Sequence, residues 1–234
     1  MKTLSVIMPR FAQDEETDAL TNTCIQSLLD NRDDRFKTII TVVDDGSKYP
    51  YKGPDVNFIQ HSSNRGIAVA WNTGWRETDY ADFFCWINSD CKVYPNWSYP
   101  LVVAAEQLQC IAMPYTNGKK ARRHGLTGWC FLTTRTVAHK IGWFDESFVP
   151  AQYEDTDWFH RAIYYNKIPI VNVPISNVWH ENRKGGTQFL ERFEWLHMAN
   201  RFRYAWKHNV NPEGAPPMYR SPLPDVELED IDAS

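Results

Sequence analysis

The stretch Phe83-Phe84-Cys85-Trp86-Ile87-Asn88-Ser89-Asp90 decides the fold class of this 234-residue chain. Its five apolar residues predict a buried strand, and the polar residues that follow carry oxygen atoms able to bind a hard divalent cation. Ligands of α/β proteins bind at the carboxyl ends of the strands, so a strand that ends in a carboxylate indicates a site at that edge. Two further segments, residues 42–47 and residues 153–157 with Trp179-His180, show similar polar groups.

Strand and helix patterns alternate along the chain. Strands are predicted at residues 4–8, 38–43, 56–60, 83–87, 111–114, 128–133 and 168–173, and helices at 17–30, 66–75, 136–141 and 156–165. This alternation predicts an α/β fold with a mostly parallel central sheet flanked by helices, because crossover helices join parallel strands. Pro169 places the last of these strands at a sheet edge.

A long C-terminal helix is predicted at residues 189–206. Its apolar residues recur at helical spacing and are expected to pack on the body of the protein: Trp195, Met198, Ala199, Phe202 and Trp206. The composition changes at Asn209, since residues 209–234 contain five prolines and six acidic residues with one arginine. An extended, loosely held tail is therefore predicted.

Composition narrows the class of protein. A hydrophobic content of 43% predicts a folded globular protein, and a formal net charge of -4 gives no overall attraction to nucleic acid or to an anionic membrane. The five cysteines form no Cys-x-x-Cys pair, and their odd number argues against a disulfide framework. The chain shows no signal-peptide core and no apolar run long enough to span a membrane, which predicts a cytoplasmic protein.

Several short motifs occur in an order that is more specific than any one of them. They are Ser5-Val6-Ile7-Met8-Pro9, Val43-Asp44-Asp45-Gly46-Ser47, Asn64-Arg65-Gly66-Ile67-Ala68 with Asn72 and Gly74, Asn88-Ser89-Asp90, residues 142–146, Glu154-Asp155 with Asp157 and Arg161, and His180. Over residues 4–206 the combination resembles the family 2 glycosyltransferases of the GT-A fold. The resemblance implies one Rossmann-like domain at residues 1–208, with a nucleotide-binding half at 1–115 and an acceptor and catalytic half at 116–208.

The resemblance implies a divalent metal site. A Mg²⁺ or Mn²⁺ ion would bridge the phosphates of a nucleotide-sugar donor and stabilise the departing diphosphate. Asp90 would coordinate the ion with support from Asn88, and His180 would be the third residue of the site. Asn88 departs from the family's Asp-x-Asp signature and leaves one charge fewer. The alternatives are a strand-end cap without metal and a structural histidine.

The donor site is implied at the ends of the early strands. In the family an acidic side chain at the end of the second strand accepts a hydrogen bond from the base, a role that falls on Asp44 and Asp45. The N3 hydrogen of uracil or thymine suits such an acceptor, so a UDP- or dTDP-sugar is expected, with a UDP-sugar favoured. The alternative is a simple turn. The resemblance implies five further donor-site residues: Pro9, Asn64, Arg65, Asn72 and Ser89. Of these, Arg65 and Asn72 either contact the nucleotide or brace the loop.

Asp155 is predicted to be the general base of an inverting transfer. Such a reaction needs one carboxylate to take the proton of the acceptor hydroxyl as its oxygen attacks the anomeric carbon. The resemblance places this role on Asp155, with Glu154 as the second candidate and Asp157 holding the loop or the start of the next helix. An acidic cluster at a helix N-terminus without catalysis is the alternative.

The acceptor is the least determined part. Trp129 and Trp158 are predicted acceptor contacts, because indole rings stack on the C–H faces of sugars; either ring could instead belong to the core. The basic run at residues 119–124 either guides a phosphate-bearing substrate or is a solvated loop, and residues 184–187 either close over the diphosphate or form a surface turn. A glycan or lipid-linked acceptor is expected, with a protein or a modified DNA base as alternatives.

Two other classes of protein compete with this interpretation. A nucleotidyltransferase shares the parallel sheet and the acidic strand ends, but normally carries a Gly-rich basic loop after the first strand, whereas residues 9–13 contain no glycine. A non-catalytic nucleotide-sugar-binding protein of the same fold is the other class, and Asn88 is the feature that favours it.

Overall fold

The computed structural model describes residues 1–116, 128–181 and 193–212. Its strands are β1 (Lys2–Arg10), β2 (Phe36–Asp45), β3 (Asn57–His61), β4 (Phe83–Ile87), β5 (Cys91–Val93), β6 (Ile111–Thr116), β7 (Cys130–Thr134) and β8 (Ile170–His180). Its helices are α1 (Glu15–Asp30), α2 (Ile67–Glu77), α3 (Ser98–Leu108), α4 (Arg135–Ile141), α5 (Glu154–His160) and α6 (Phe193–His208), and a π-helical turn (Arg161–Tyr165) follows α5.

All eight strands belong to one sheet in the order β3-β2-β1-β4-β7-β6-β8-β5. The pairs β3–β2, β2–β1, β1–β4 and β6–β8 are parallel, whereas β7 is antiparallel to both neighbours and β5 is antiparallel to β8. The predicted α/β class with a mostly parallel sheet is confirmed. Because β4 pairs with β7, the sheet passes without interruption through both predicted halves.

Strand β4 shows why its sequence is a continuous apolar run. All five of its residues are buried, and successive side chains enter opposite layers of the core. Phe83, Cys85 and Ile87 pack with residues of α1 and α3 on one face. Phe84 and Trp86 pack with residues of α2, α4 and α5 on the other. The strand is thus covered by helices on both sides, and its end is fixed within the sheet.

The structure adds elements that the sequence patterns did not predict, namely α3 and β5. It also extends the strand predicted at residues 168–173, which continues to His180 as β8. The edge position expected from Pro169 is confirmed for the predicted stretch, because among the described strands residues 170–173 pair only with β6, whereas residues 178–180 of the same strand also pair with β5. The three-residue strand β5 forms the edge only beside residues 178–180.

Helix α6 is present, but its orientation is opposite to the prediction. Four of the residues expected to pack inward are exposed: Trp195, Met198, Phe202 and Trp206. The buried side of the helix instead carries Asn200, Tyr204 and His208, which bond to polar groups of the body. Hydrogen bonds with distant residues therefore decide which face turns inward.

Some predicted features lie outside the described residues: the basic run at residues 119–124, the segment at 184–187 and all of the tail beyond residue 212. None of the helices that the structure describes is both long enough and apolar enough to cross a membrane.

Candidate active site

Asp90 and His180 meet because two strands pair. Residues 88–90 form the turn between β4 and β5, in which the Cys91 amide donates to the Asn88 carbonyl at 3.3 Å. Strand β5 runs antiparallel to β8 with Cys91 opposite His180. The His180 Nε2 atom consequently lies 3.2 Å from Oδ1 of Asp90, although the two residues are far apart in the sequence.

Two buried oxygen atoms in this turn have no hydrogen-bond donor within the described residues, Oδ1 of Asn88 and Oδ1 of Asp90. The approach of His180 to Asp90 is close enough for an ion pair but lacks hydrogen-bond geometry. Buried acceptors are rarely left in this state. Carboxylate and amide oxygens with one imidazole suit Mn²⁺, so the donor set fits a divalent cation. The Cys91 sulfur lies in the same group but is a poor ligand for a hard cation.

Trp129 contacts both His180 and the turn at residues 88–90. Its ring stacks on the imidazole of His180 with 5.3 Å between ring centroids and 15° between planes. Its carbonyl accepts a hydrogen bond from the Asn88 amide at 2.8 Å. Trp129 is only 4% exposed, so its contacts fix the histidine ring and the turn.

Trp158 lies in the hydrophobic core. Its side chain is fully buried, its ring stacks on Phe144, and its indole nitrogen donates to the Gly142 carbonyl at 2.8 Å. The side chain offers no surface to an acceptor, contrary to the prediction. Core packing explains its position, since Trp158 also contacts Trp86 and Phe131.

Asp155 is connected to the metal-site candidates through the residue that precedes Trp129. The Gly128 amide donates to Oδ2 of Asp155 at 2.7 Å, and the Thr156 amide donates to Oδ1 at 2.6 Å. A Cβ atom on Gly128 would lie 2.6 Å from Cβ of Asp155, so only glycine permits this approach. Burial raises the pKa of Asp155 above its ordinary value, while these hydrogen bonds oppose the rise.

Glu154 differs from its neighbour. Burial, with the charge of Asp155 as the second cause, raises the pKa of Glu154 well above its ordinary value. The Oε2 atom of Glu154 is buried and has no hydrogen-bond partner in the described segments. Because burial favours the protonated form of Glu154 and raises its pKa well above the ordinary value, Glu154 is the weaker candidate for a general base.

The backbone that presents this pair is strained. Gln152 and Tyr153 have φ angles of 78° and 74°, in the left-handed region that residues other than glycine rarely adopt. The side-chain amide of Asn200 donates to the carbonyl oxygens of Val149, Ala151 and Gln152 at 3.0–3.2 Å. Helix α6 therefore holds the loop that leads into α5 and the Glu154-Asp155 pair.

The carboxylates at the end of β2 are occupied by the protein itself. Asp44 forms a buried ion pair with Arg10 and accepts the Ser47 amide at 2.9 Å. The same arginine also bonds to Asp18 at 2.6 Å. Sequence reasoning missed both Arg10 and Asp18; the one available signal was an arginine directly after an apolar strand.

Asp45 also serves the local structure, since it organises the loop that begins α2. Its Oδ1 atom lies 2.7 Å from Nδ1 of His61 and accepts the Arg65 amide at 2.9 Å, and its Oδ2 atom accepts the Gly66 amide at 2.8 Å. A carboxylate offers about four acceptor positions, and these contacts use three of those of Asp45. His61 was not predicted from the sequence.

The remaining donor-site candidates are spread around this edge. Asn72 is buried and exchanges hydrogen bonds with the backbone of Phe144 at 2.9 and 3.0 Å, so of its two predicted roles the structure shows the bracing one. Asn64 and Arg65 have exposed side chains, Ser89 is buried, and Pro9 is half-buried beside Val43.

The ends of β2 and β4 lie at the same edge of the sheet, because both strands are parallel to β1 between them. The loop held by Asp45 is tied to the segment before α5, since the Ile67 amide donates to the Pro150 carbonyl at 2.9 Å. The structure thus places Asp45, Asp90, His180 and Asp155 along one edge, where α/β proteins bind their ligands.

Comparison with known proteins gives both a family and a fold. The family model described as glycosyl transferase family 2 matches residues 5–141. A search of curated proteins gave no match. A crystal structure of GalNAc-T7 with UDP, GalNAc and Mn²⁺ is similar, with a TM-score of 0.64 and 15% sequence identity over 76% of this chain and 43% of that one.

Crystal structures of S. aureus TarS residues 1–349, alone and with UDP, are similar with a TM-score of 0.60 and 14% identity over 86% of this chain and 66% of theirs. At these identities the likeness shows the fold, and the chain spans less than two thirds of the length of each of these proteins. The family model covers more than half of the sequence. The chain therefore belongs to glycosyl transferase family 2 and has the GT-A fold.

Proposed function

We propose that the protein is a metal-dependent, inverting glycosyltransferase that moves a sugar from a nucleoside-diphosphate-sugar to an acceptor hydroxyl by direct displacement. The observation that carries the proposal is the chain of contacts from Asp90 through His180 and Trp129 to Gly128 and Asp155. These contacts support the proposal, because they connect the candidate cation ligands to the candidate base at the carboxyl edge of the sheet, where α/β proteins bind their ligands.

Asp155 acts as the general base. The acceptor oxygen attacks the anomeric carbon, its proton passes to the Asp155 carboxylate, and the bond between that carbon and the diphosphate breaks with its electron pair leaving on the diphosphate. The amides of Gly128 and Thr156 hold the carboxylate in one orientation. The raised pKa of Asp155 supports this role, because a base is most effective when its pKa approaches the working pH.

Glu154 has a separate part. Its Oε2 atom is buried and has no hydrogen-bond partner in the described part of the chain. A sugar hydroxyl of donor or acceptor would satisfy it. Glu154 therefore positions substrate, while Asp155 moves the proton.

Asp90 and His180 would hold a Mn²⁺ or Mg²⁺ ion, and the unpartnered Oδ1 of Asn88 would supply a neutral oxygen directly or through water. When bound, the ion neutralises the charge that develops on the diphosphate. Trp129 orients the imidazole of His180 by stacking on it. Since Asn88 is uncharged, this turn carries less negative charge than an Asp-x-Asp turn.

A UDP-sugar is the favoured donor. The remaining acceptor position of Asp45 suits the N3 hydrogen of uracil, which agrees with the presence of UDP in the GalNAc-T7 and TarS crystals. The acceptor we propose is a glycan or another hydroxyl-bearing substrate that receives a single sugar.

The test is hydrolytic or acceptor-dependent release of UDP from a panel of UDP-sugars. Donors are first selected by their ability to raise the melting temperature in the presence of Mn²⁺. Release should require Mn²⁺ or Mg²⁺, stop with a chelator and fail in Asp90→Asn. The control variant Asp55→Asn changes an exposed carboxylate and should keep full activity. A donor that stabilises the protein but is never turned over would instead identify a non-catalytic binding protein.

A further inference from the structure

Helix α6 presents an aromatic face to solvent. The exposed fractions are 71% for Trp195, 46% for Met198, 52% for Phe202 and 87% for Trp206. These residues are spaced by three or four positions, so they form one stripe along the helix, about 16 Å long at 1.5 Å per residue. The three aromatic side chains alone expose about 500 Å², which is large for a contiguous patch on a soluble monomer.

The inward face of the same helix is polar. Asn200 bonds to three backbone carbonyls, the Tyr204 hydroxyl bonds to His160 at 2.8 Å, and His208 bonds to Asp157 at 2.8 Å. A helix lying on the surface of a soluble protein normally turns its apolar side inward. Because the polar contacts fix α6 with its aromatic side outward, the exposed stripe is a property of the folded state and cannot be removed by rotating the helix.

The basic residues of α6 lie beside this stripe. The helix contains one acidic residue and three basic ones, Arg201, Arg203 and Lys207, and so has a net charge of +2 within a chain of net charge -4. Lys207 is paired with Asp145 and Asp157. Arg203 is exposed and donates to neutral partners, the Ser147 carbonyl and Oδ1 of Asn200, so its positive charge remains uncompensated by these bonds.

We propose that the outer face of α6 docks the protein on an anionic lipid surface. A helix with tryptophan and phenylalanine on one face and an exposed arginine, Arg203, beside it is suited to the interface between headgroups and acyl chains. Trp195 and Trp206 stand at the two ends of the stripe, so a helix lying flat on the surface inserts both rings at once. The stripe is also smaller than the roughly 800 Å² per partner of a stable protein interface, which disfavours a second copy as the occupant.

The test is sedimentation of the full chain with vesicles. Mixed phosphatidylcholine and phosphatidylglycerol vesicles should bind it, with weaker binding at high salt, and pure phosphatidylcholine vesicles should bind it less. Trp206→Ser and Trp195→Ser should each weaken binding about tenfold, because lipid affinity follows the apolar area inserted. Arg203→Gln should weaken binding to the anionic vesicles about fivefold.

Tyr80→Ser is the matched control, since Tyr80 is 62% exposed and lies outside α6. Its binding should equal that of the unaltered protein, and all variants should keep their melting temperature. Absence of binding to the anionic vesicles overturns the proposal, as does an equal loss in Tyr80→Ser. Light scattering that shows a dimer dissociated by Trp206→Ser also overturns it and assigns the face to a second copy.

Discussion

The carboxylates at the end of β2 and those around β4 and α5 differ in how completely the protein satisfies them. Asp44 and Asp45 each accept several hydrogen bonds from side chains and backbone amides. Asp90 and Glu154, together with the amide of Asn88, keep one buried oxygen each without a partner in the described residues. The first pair mainly shapes the edge of the sheet and leaves one acceptor position on Asp45, whereas each member of the second group has an oxygen with no hydrogen bond at all from the described residues.

The contrast has an energetic basis. A buried polar group without a partner costs about 1–3 kcal/mol, so folding alone gives no reason to keep it. Three such oxygens at one edge of the sheet support the proposal that these groups complete their bonding with substrate or cation. The comparison predicts that changes at the first site lower stability and changes at the second lower function.

The largest effect is expected for Asp155→Asn. The amide cannot take the acceptor proton, so the rate of transfer should fall about a thousandfold. Donor binding should persist, because the side chain keeps its size. Release of UDP and calorimetric titration with the donor measure the two quantities, and Asp55→Asn serves as the control. A variant that transfers sugar normally, or one that loses donor binding, would contradict the assignment of Asp155 as base.

Asp44→Asn should be the most destabilising change at the satisfied site. It removes one partner of the buried Arg10 and leaves the guanidinium with Asp18 as its remaining acidic partner. Loss of one member of a buried ion pair costs about 4 kcal/mol. Denaturant unfolding measures the loss, with Asp34→Asn as the exposed control. A loss below about 1 kcal/mol would show that Asp44 is not needed for the fold, and would weaken the contrast between the two sites.

The contact between α5 and α6 should make stability depend on pH in two separate windows. Burial, followed by the charge of His208, lowers the pKa of His160 from 6.5 to about 4. Burial alone would raise the pKa of Asp157, but the hydrogen bond from His208 and the charges of Arg161 and Lys207 lower it from 3.8 to about 2. Both groups are buried, so both shifts contribute to stability.

Between pH 6.5 and about 4 the unfolded chain binds a proton at residue 160 that the folded protein does not, so stability should fall by about 3 kcal/mol as the pH is lowered. Asp157 stabilises above pH 3.8, and its contribution of about 2 kcal/mol should disappear as the pH falls to about 2. Urea unfolding across this range measures both. His160→Gln should remove the upper window and leave the lower one in place; if both windows persist, the upper one has another origin.

The sequence predicted the parallel part of the fold well because local patterns determine it. Strand β4 is a five-residue apolar run in both prediction and structure, and α2 covers residues 67–77 where helical spacing was seen at 66–75. Strand β5 has three residues, too few to show a period, and it exists because β8 pairs with it. Helix α3 has an apolar run that fits strand or helix equally well.

The residues of the candidate site also fall into two groups, those that the sequence could predict and those that it could not. The strand ends carrying Asp45 and Asp90 could be predicted, because parallel strands bring their carboxyl ends to one edge. The partners of these residues could not, since the ion pair of Arg10 with Asp44 and the bond of His61 to Asp45 depend on contacts between separate elements. The prediction that the aromatic face of α6 packs inward was wrong for the same reason. The buried face is fixed by hydrogen bonds from Asn200 and His208 to residues of other segments, which the sequence pattern does not reveal.

The smallest effect on stability is expected for Asp90→Asn. Comparing its free energy of unfolding with that of Asp44→Asn therefore tests the difference between the two sites most directly. The lost carboxylate has an oxygen without a hydrogen bond, and the neutral amide is cheaper to bury. The ion-pair contact with His180 at 3.2 Å is lost at the same time, so the two effects oppose each other. The free energy of unfolding should change by less than about 1 kcal/mol.

The same variant should lose the rise in melting temperature that Mn²⁺ is expected to give the unaltered protein, because a ligand that binds only the folded state stabilises it by an amount that grows with the logarithm of its concentration relative to its dissociation constant. Asp45→Asn is the matched comparison: it should lower stability through its weakened bonds to Arg65 and Gly66, yet retain the Mn²⁺ response. If Asp90→Asn unfolds as easily as Asp44→Asn and still responds to Mn²⁺, Asp90 is a structural carboxylate. The carboxylates at the end of β2 and Asp90 would then differ in their hydrogen bonds but not in their role.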